Sequence, residues 1–208
     1  MEEGLGAITL RAIARDMGMT PPSLYHYFDN LGTLISHMVS EIYEDATAHI
    51  QAAADSYRSP EERLLAASRA FRSWALANPR EYELIFGAPI PGFDVHEDDA
   101  TSMSGRRFGE VFFGLFLELW KQRSFPVTPD TGIDPVLREQ LEAYRESHGM
   151  ELPLGVLLVV VKCWERLQGN VSLEVFGHFR FILEDAGPLF EEMLMEISQP
   201  LGIPYREP

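Results

Sequence analysis

Thr9-Leu-Arg-Ala-Ile-Ala-Arg-Asp-Met-Gly-Met-Thr-Pro-Pro-Ser-Leu-Tyr-His-Tyr-Phe28 spells two short helices and the turn between them. Thr9 reads as an N-cap, because its hydroxyl can accept from a free N–H of the first helical turn. Ala14 is small where two helices must approach closely, and Gly18, four residues on, offers the left-handed backbone that the turn needs. Thr20 caps the second helix, and Pro21 takes its first position, where a missing N–H costs nothing. Ile13, Met17, Met19, Leu24 and Tyr27 fall where the two helices should pack. The N-terminal face of the second helix then holds Pro22, Ser23, Tyr25 and His26. Such an end aims N–H groups and hydroxyls at phosphates and short side chains at base edges in the major groove. The spacing is that of a helix-turn-helix, although any helical hairpin also needs a glycine and apolar spacing.

Around this stretch lies a chain of 208 residues with 46% apolar and 11% aromatic side chains, a composition that folds and buries a core. Seventeen basic residues stand against 32 acidic ones, a net charge of −15. The molecule as a whole is repelled by nucleic acid and by anionic membranes, so a DNA contact has to come from a local arrangement. The single cysteine, Cys163, excludes an internal disulfide and a multi-cysteine zinc site, and it fits a reducing compartment. The longest apolar run, 154–161, is far short of the ~20 residues that span a bilayer. Met-Glu-Glu-Gly-Leu lacks the basic and apolar start of a signal peptide. The expectation is a soluble, cytoplasmic protein without a membrane partner.

Helical periodicity continues along the rest of the chain, and no segment alternates as a strand. A long helix is expected over 32–57, a capped one over 60–77 ended by Asn78-Pro79, and a short one over 79–86. A segment rich in Pro and Gly, 87–92, leads into acidic residues 94–99, which read as a solvated loop. Aromatic-spaced helix follows over 103–123, a loop over 126–135, and a polar helix over 136–148. Residues 154–182 read as one long apolar helix or a helix pair, and 188–197 closes the chain. The fold class is all-α: a small helix-turn-helix DNA-binding domain, 1–45, followed by a larger helical bundle domain, 46–208.

The strings Thr9-Leu-Arg-Ala-Ile-Ala-Arg15 and Gly18-Met-Thr-Pro-Pro-Ser-Leu-Tyr-His-Tyr-Phe28 resemble the DNA-binding domain of TetR-family transcriptional regulators at the family spacing. Trp164-Glu-Arg-Leu-Gln-Gly looks like the Trp-x-x-x-His-Gly segment of one TetR-like C-terminal domain class, with Gln168 in place of the histidine. The resemblance implies that Thr9 and Thr20 touch phosphates, that Arg11, Pro22, Ser23 and Tyr25 face the groove or the backbone, and that Tyr27 contacts a phosphate. His26 holds the variable position between them. Core packing is the competing reading of Tyr27, and a solvated ring that of Tyr25. Two departures stand out. Leu31 occupies a position where the family places a phosphate-binding lysine. Only residues 1–8 precede Thr9, where the family has a complete helix covering Ile8, Ile13, Met17, Leu24 and Phe28, a layer worth several kcal/mol at roughly 25 cal/mol per Å². Residues 1–45 also hold two basic side chains, Arg11 and Arg15, against seven acids. The expectation is a truncated or mis-assigned start that has lost a basic arm.

The resemblance further implies a small-molecule effector and a homodimer on palindromic operator DNA. Candidate pocket residues are Phe71, Trp74, Tyr82, Phe86, Phe112, Phe116 and Trp120, with His178, Arg107 and Glu165 as polar fixtures; aromatic residues at helical spacing also read as plain core. Trp164, Leu167, Val171, Val175, Leu189, Phe190, Met193 and Ile197 are the dimer candidates, against burial within one chain. No cofactor and no metal is expected. Glu174 and His178 stand four apart but have no third ligand nearby, and His96 to Asp99 read as solvated acids. There is no glycine-rich phosphate loop and no Gly-x-Ser-x-Gly elbow, and Cys163 reads as an inert thiol in an apolar stretch, so no enzyme is expected. The function that follows is a ligand-responsive DNA-binding regulator, a repressor released from its operator by a small hydrophobic molecule. The alternative is a helical small-molecule-binding protein of the same fold that does not bind DNA as this chain stands.

Overall fold

The computed structural model describes residues 9–88 and 100–206, and among these all regular structure is helical. The helices are α1 (Leu10–Asp16), α2 (Pro21–Tyr25), α3 (Leu31–Asp55), α4 (Pro60–Ala77), α5 (Pro79–Phe86), α6 (Ala100–Gln122), α7 (Pro135–Ser147), α8 (Leu154–Val175) and α9 (Gly187–Ser198), with a 3-10 turn at Asp130–Gly132. The expected acidic loop at 94–99, most of the 87–92 segment and residues 1–8 lie outside the described residues.

The starts of α1, α4 and α7 are chemically marked, whereas α2, α8 and α9 have no side-chain cap. Ala12 N–H donates to Thr9 Oγ1 at 3.2 Å, Glu62 N–H to Ser59 Oγ at 3.2 Å, and Val136 N–H to Asp134 Oδ1 at 3.0 Å. Each bond satisfies an N–H that the helix itself leaves orphaned. The end of α8 differs from the expected run to residue 182. His178 N–H reaches back to Leu173 O at 2.8 Å and Gly177 N–H to Glu174 O at 3.0 Å, with Gly177 at φ +72. This paired closure needs a left-handed residue, and glycine adopts it at low cost, so the helix stops at Val175.

Contacts group the chain into two units, Met1–Ala48 with Arg80–Glu110, and His49–Pro79 with Val111–Pro208. In the first, Leu10, Ala14, Leu24 and Leu34 form a small core, with Ile13, Met19, Phe28 and Leu31 packed against it. Leu31 therefore spends its side chain on the core. Tyr43, Phe86 and Phe108 make mutual ring contacts at 5.7–6.0 Å, and burial pushes the Tyr43 phenol above its ordinary value.

In the second unit, Leu154, Leu157 and Leu158 of α8 pack with Leu141 of α7 and with Ile133. A Cβ at Gly155 would meet Thr128 O at 2.3 Å, so only glycine admits the preceding loop this close to α8. Two bidentate ion pairs lock α4 to its neighbours. Arg69 grips Glu191 of α9 at 2.8 and 3.0 Å, and Arg72 grips Glu174 of α8 at 2.6 and 2.7 Å. The planar guanidinium fork suits a carboxylate in this way, and Arg72 also lies over the Phe190 ring at 5.2 Å. The end of the chain joins the same network: Tyr205 O–H donates to Glu191 Oε2 at 2.6 Å and Arg69 Nη2 to Arg206 O at 2.7 Å. Burial alone would raise the Glu191 carboxyl; the hydrogen bonds from Arg69 and Tyr205 outweigh it and hold the group below its ordinary value.

Candidate nucleic-acid interface

Alpha-1 ends as its sequence requires. Gly18 adopts φ +67, and Met19 N–H closes the helix on Ala14 O at 2.8 Å. The turn then delivers Thr20 to the start of α2, where its hydroxyl lies 2.7 Å from Ser23 Oγ and makes no bond to the helix backbone. Leu24 is buried on the inner side of α2. Burying Leu24 turns Pro22, Tyr25 and His26 outward, and all three are exposed. Thr9, Arg11 and Thr20 are exposed as well, and Ser23 is half-buried.

Tyr27 decides between its two readings. The packing expected from spacing does not occur: its ring is 71% exposed, and His26 meets it edge-on at 5.3 Å. Met17 is likewise 63% exposed instead of packed between the helices. The small core is made instead by Leu10, Ala14, Leu24 and Leu34, with Ile13, Met19, Phe28 and Leu31 packed against it. The phenol of Tyr27 thus lies in solvent. Of the eight residues expected to meet DNA, seven are exposed and Ser23 is half-buried, so none lies in the core.

The other candidates divide. Phe71, Trp74, Phe112 and Phe116 are buried in the second unit, where Phe71, Phe112 and Trp164 form a ring cluster at 5.7–6.1 Å. Trp120 is half-buried against Phe125. Tyr82 and Phe86 belong to the first unit, with ring centroids 5.0 Å apart. His178 is exposed beyond the end of α8, and Glu174 is held by Arg72, so this pair does not share a helical face. Arg107 pairs with Glu44 at 3.8 Å, and Glu165 is exposed. Among the described residues no cluster of three or more His, Cys, Asp or Glu side chains could hold a metal ion, and no helix is long and apolar enough to cross a membrane.

Of the dimer candidates, Leu167, Val171, Phe190 and Met193 are buried within the single chain, and Trp164 faces Phe71 and Phe112. Val175 and Ile197 are half-buried, and Leu189 is exposed. Beside Leu189, the large apolar side chains that α8 and α9 present to solvent are Val161, Leu173 and Met195. They sit a step around each helix from the buried set, and sequence periodicity cannot tell the two stripes apart on helices apolar over so much of their circumference.

The family model described as bacterial regulatory proteins, tetR family, matches residues 1–37, and the model for the tetracyclin repressor-like C-terminal domain matches 64–197. HTH-type transcriptional regulators of Mycobacterium bovis and Mycobacterium tuberculosis are 29% identical over 197 residues, covering 92% of this chain and 82% of theirs. The crystal structure of SCO4313, described as a regulatory protein, superposes with a TM-score of 0.75 at 30% identity, over 96% of this chain and 89% of that one. A protein of unknown function from Rhodococcus sp. RHA1 shares the fold, with a TM-score of 0.61 at 16% identity over 97% and 87%.

Proposed function

The chain belongs to the tetR family of bacterial regulatory proteins, and from that premise we propose that it is a homodimeric repressor released from palindromic operator DNA by a small hydrophobic effector. It is a transcriptional regulator of this family, with the family's DNA-binding domain at its N-terminal end, and not an enzyme. The observation that carries the proposal is the outward set of α1, the turn and α2, where Tyr25 and Tyr27 expose their rings beside Thr20 and Ser23. Hydroxyl and phenol donors on a helix-turn-helix fix register on the phosphates while Pro22, Ser23 and His26 address base edges. Two such surfaces, related by a two-fold axis, would read the two halves of a palindrome.

A hydrophobic effector entering among Phe71, Trp74, Phe112 and Phe116 would have to part rings that now touch, so the ligand-bound conformer differs from this one. It releases DNA only by binding that conformer more tightly than the DNA-competent one.

Charge favours the competing reading, a small-molecule-binding protein that leaves DNA alone. Between residues 9 and 48, Arg11 and Arg15 face five acids, and Arg15 already pairs with Asp16 at 3.5 Å. Selection of bound duplexes from random DNA at low salt decides the matter. An inverted repeat supports the repressor; no enriched sequence, together with ligand-induced thermal stabilisation, would leave only the binding protein.

A further inference from the structure

A trough of about 620 Å³ lies between the second half of α3 and α4. The two helices run antiparallel along it. Arg63 meets Asp55 at 3.2 Å near the turn that joins them, and His49 Nε2 lies 3.3 Å from Ser73 Oγ at the far end. Ala66, Arg69 and Ser73 wall the α4 side, and spacings of three and four put them on one helical face. Phe71 is two residues from Arg69 and so about 200° around the helix, where it meets Phe112. The trough is therefore separate from the rings among which the effector is proposed to enter. All of its lining belongs to the second unit.

Its two ends differ chemically. At the far end, Ser73 O–H donates to Ala70 O at 3.0 Å. The hydroxyl has one proton, so His49 Nε2–H is the donor between the two side chains. Midway, Arg69 already holds Glu191 with both arms of its fork. The end beside the turn holds Tyr57, Glu62 and Arg206. Arg206 is fixed there through its backbone, since Arg69 Nη2 donates to Arg206 O at 2.7 Å. Its own guanidinium spends a single N–H, on Glu62 Oε1 at 3.1 Å, in an exposed pair of the kind that contributes little. Tyr57 O–H has no hydrogen-bond partner among the described residues. This end thus holds more donors than acceptors, and a guanidinium fork beside a phenol is the complement of a carboxylate. Glu62 next to them opposes a second negative charge. Between the ends the lining is apolar, with Ala53, Leu65, Ala66 and Pro204. His49 and Tyr57 stand eight residues apart on α3, which sets a length of about 12 Å.

We propose that this trough is a ligand site for an elongated, amphipathic monocarboxylate. The carboxylate lies on Arg206 and Tyr57, and the apolar body lies along Ala53, Leu65 and Ala66 towards His49. The net charge of −15 repels any anion at a distance, so affinity has to come from contact. The guanidinium supplies it at one end and apolar area along the rest. A short-chain anion has only the first. No ring has to move to admit the ligand, in contrast to the packed cluster of Phe71, Phe112 and Trp164.

The test uses the full-length protein with octanoate as the probe, acetate as the control for the chain and octanol as the control for the charge. Isothermal titration should give one octanoate per chain, octanol bound about tenfold more weakly, and no heat from acetate. Arg206→Gln should weaken octanoate about tenfold and leave octanol unchanged, because the side chain is exposed and lends the core nothing. Ala66→Phe, whose ring would occupy the trough, should abolish binding of both. Should that variant melt below the wild type, nuclear Overhauser contacts from the octanoate chain to the Ala53 and Ala66 methyls of the wild type serve in its place. A wild type that takes up no octanoate would overturn the proposal. Octanoate that binds Arg206→Gln and Ala66→Phe as tightly as the wild type, or that contacts neither methyl, would overturn it too, because the ligand would then lie elsewhere.

Discussion

Gly18 is the residue on which the helix-turn-helix turns. Its φ of +67 lies where side chains strain, and a Cβ there would meet nothing within 4 Å, so a substitution is penalised through the backbone alone. Gly18→Ala should cost about 1–2 kcal/mol in chemical denaturation without creating a clash elsewhere. Tyr27 and Tyr25 carry the opposite signature, since their rings are exposed and lend the core nothing. Tyr27→Phe and Ser23→Ala should leave melting unchanged and weaken operator binding by about 1 kcal/mol each, read by titration of a labelled duplex. A third residue answers to acid. Because Glu191 sits below its ordinary carboxyl value in the folded chain, its contribution is complete above about pH 4.5 and is lost as pH falls through the folded value. Glu191→Gln should remove this part of the acid limb in stability measured from pH 6 to pH 3.

Helix α8 shows what the sequence tells of an element and where it stops. Thr9, Ser59 and Asp134 mark their helix starts because a cap is a local event within three residues. The end of α8 was open to error because Gly177 can sit inside an apolar pattern or close it, and only the bonds back to Leu173 and Glu174 decide. The same limit applies to its faces. Val171 is fully buried within the chain and Leu173, two residues on, is exposed, yet Asn170-Val-Ser-Leu-Glu174 gives both the same polar neighbours and marks neither as the inward one. Val171→Glu should therefore unfold the protein, an unpaired charge in the core costing several kcal/mol, whereas Leu173→Glu should keep the fold and favour monomers in sedimentation. Tyr27 teaches the converse: aromatic spacing suggested packing, but its ring is exposed and the small core is made by other residues.

For the whole molecule the net charge of −15 sets the terms of association. The field repels DNA at a distance, and few cations between residues 9 and 48 can displace counterions. The logarithm of operator affinity should fall with the logarithm of salt concentration, with a slope magnitude of about 2–4 per dimer, which a salt series in fluorescence anisotropy measures. A slope near 8 or more would mean that phosphates are met by cations outside that span. A helix-turn-helix in an all-helical chain was legible in residues 9–28 and in the helical period; that Arg80–Glu110 group with the first 48 residues, and not with the rest of the chain beyond residue 45, was not. The composition of each interface was not, because exposure depends on how many neighbours compete for the same core.

Cys163 has a consequence for chemistry in the cell. Burial of this α8 side chain pushes its thiol up to about 11. At neutral pH the reactive thiolate is then only about one molecule in ten thousand, and peroxides, disulfides and electrophiles attack the thiolate alone. With one sulfhydryl in the chain and that one held as the thiol, no cysteine response to peroxide is expected, and alkylation by iodoacetamide should be far slower in the folded protein than after denaturation.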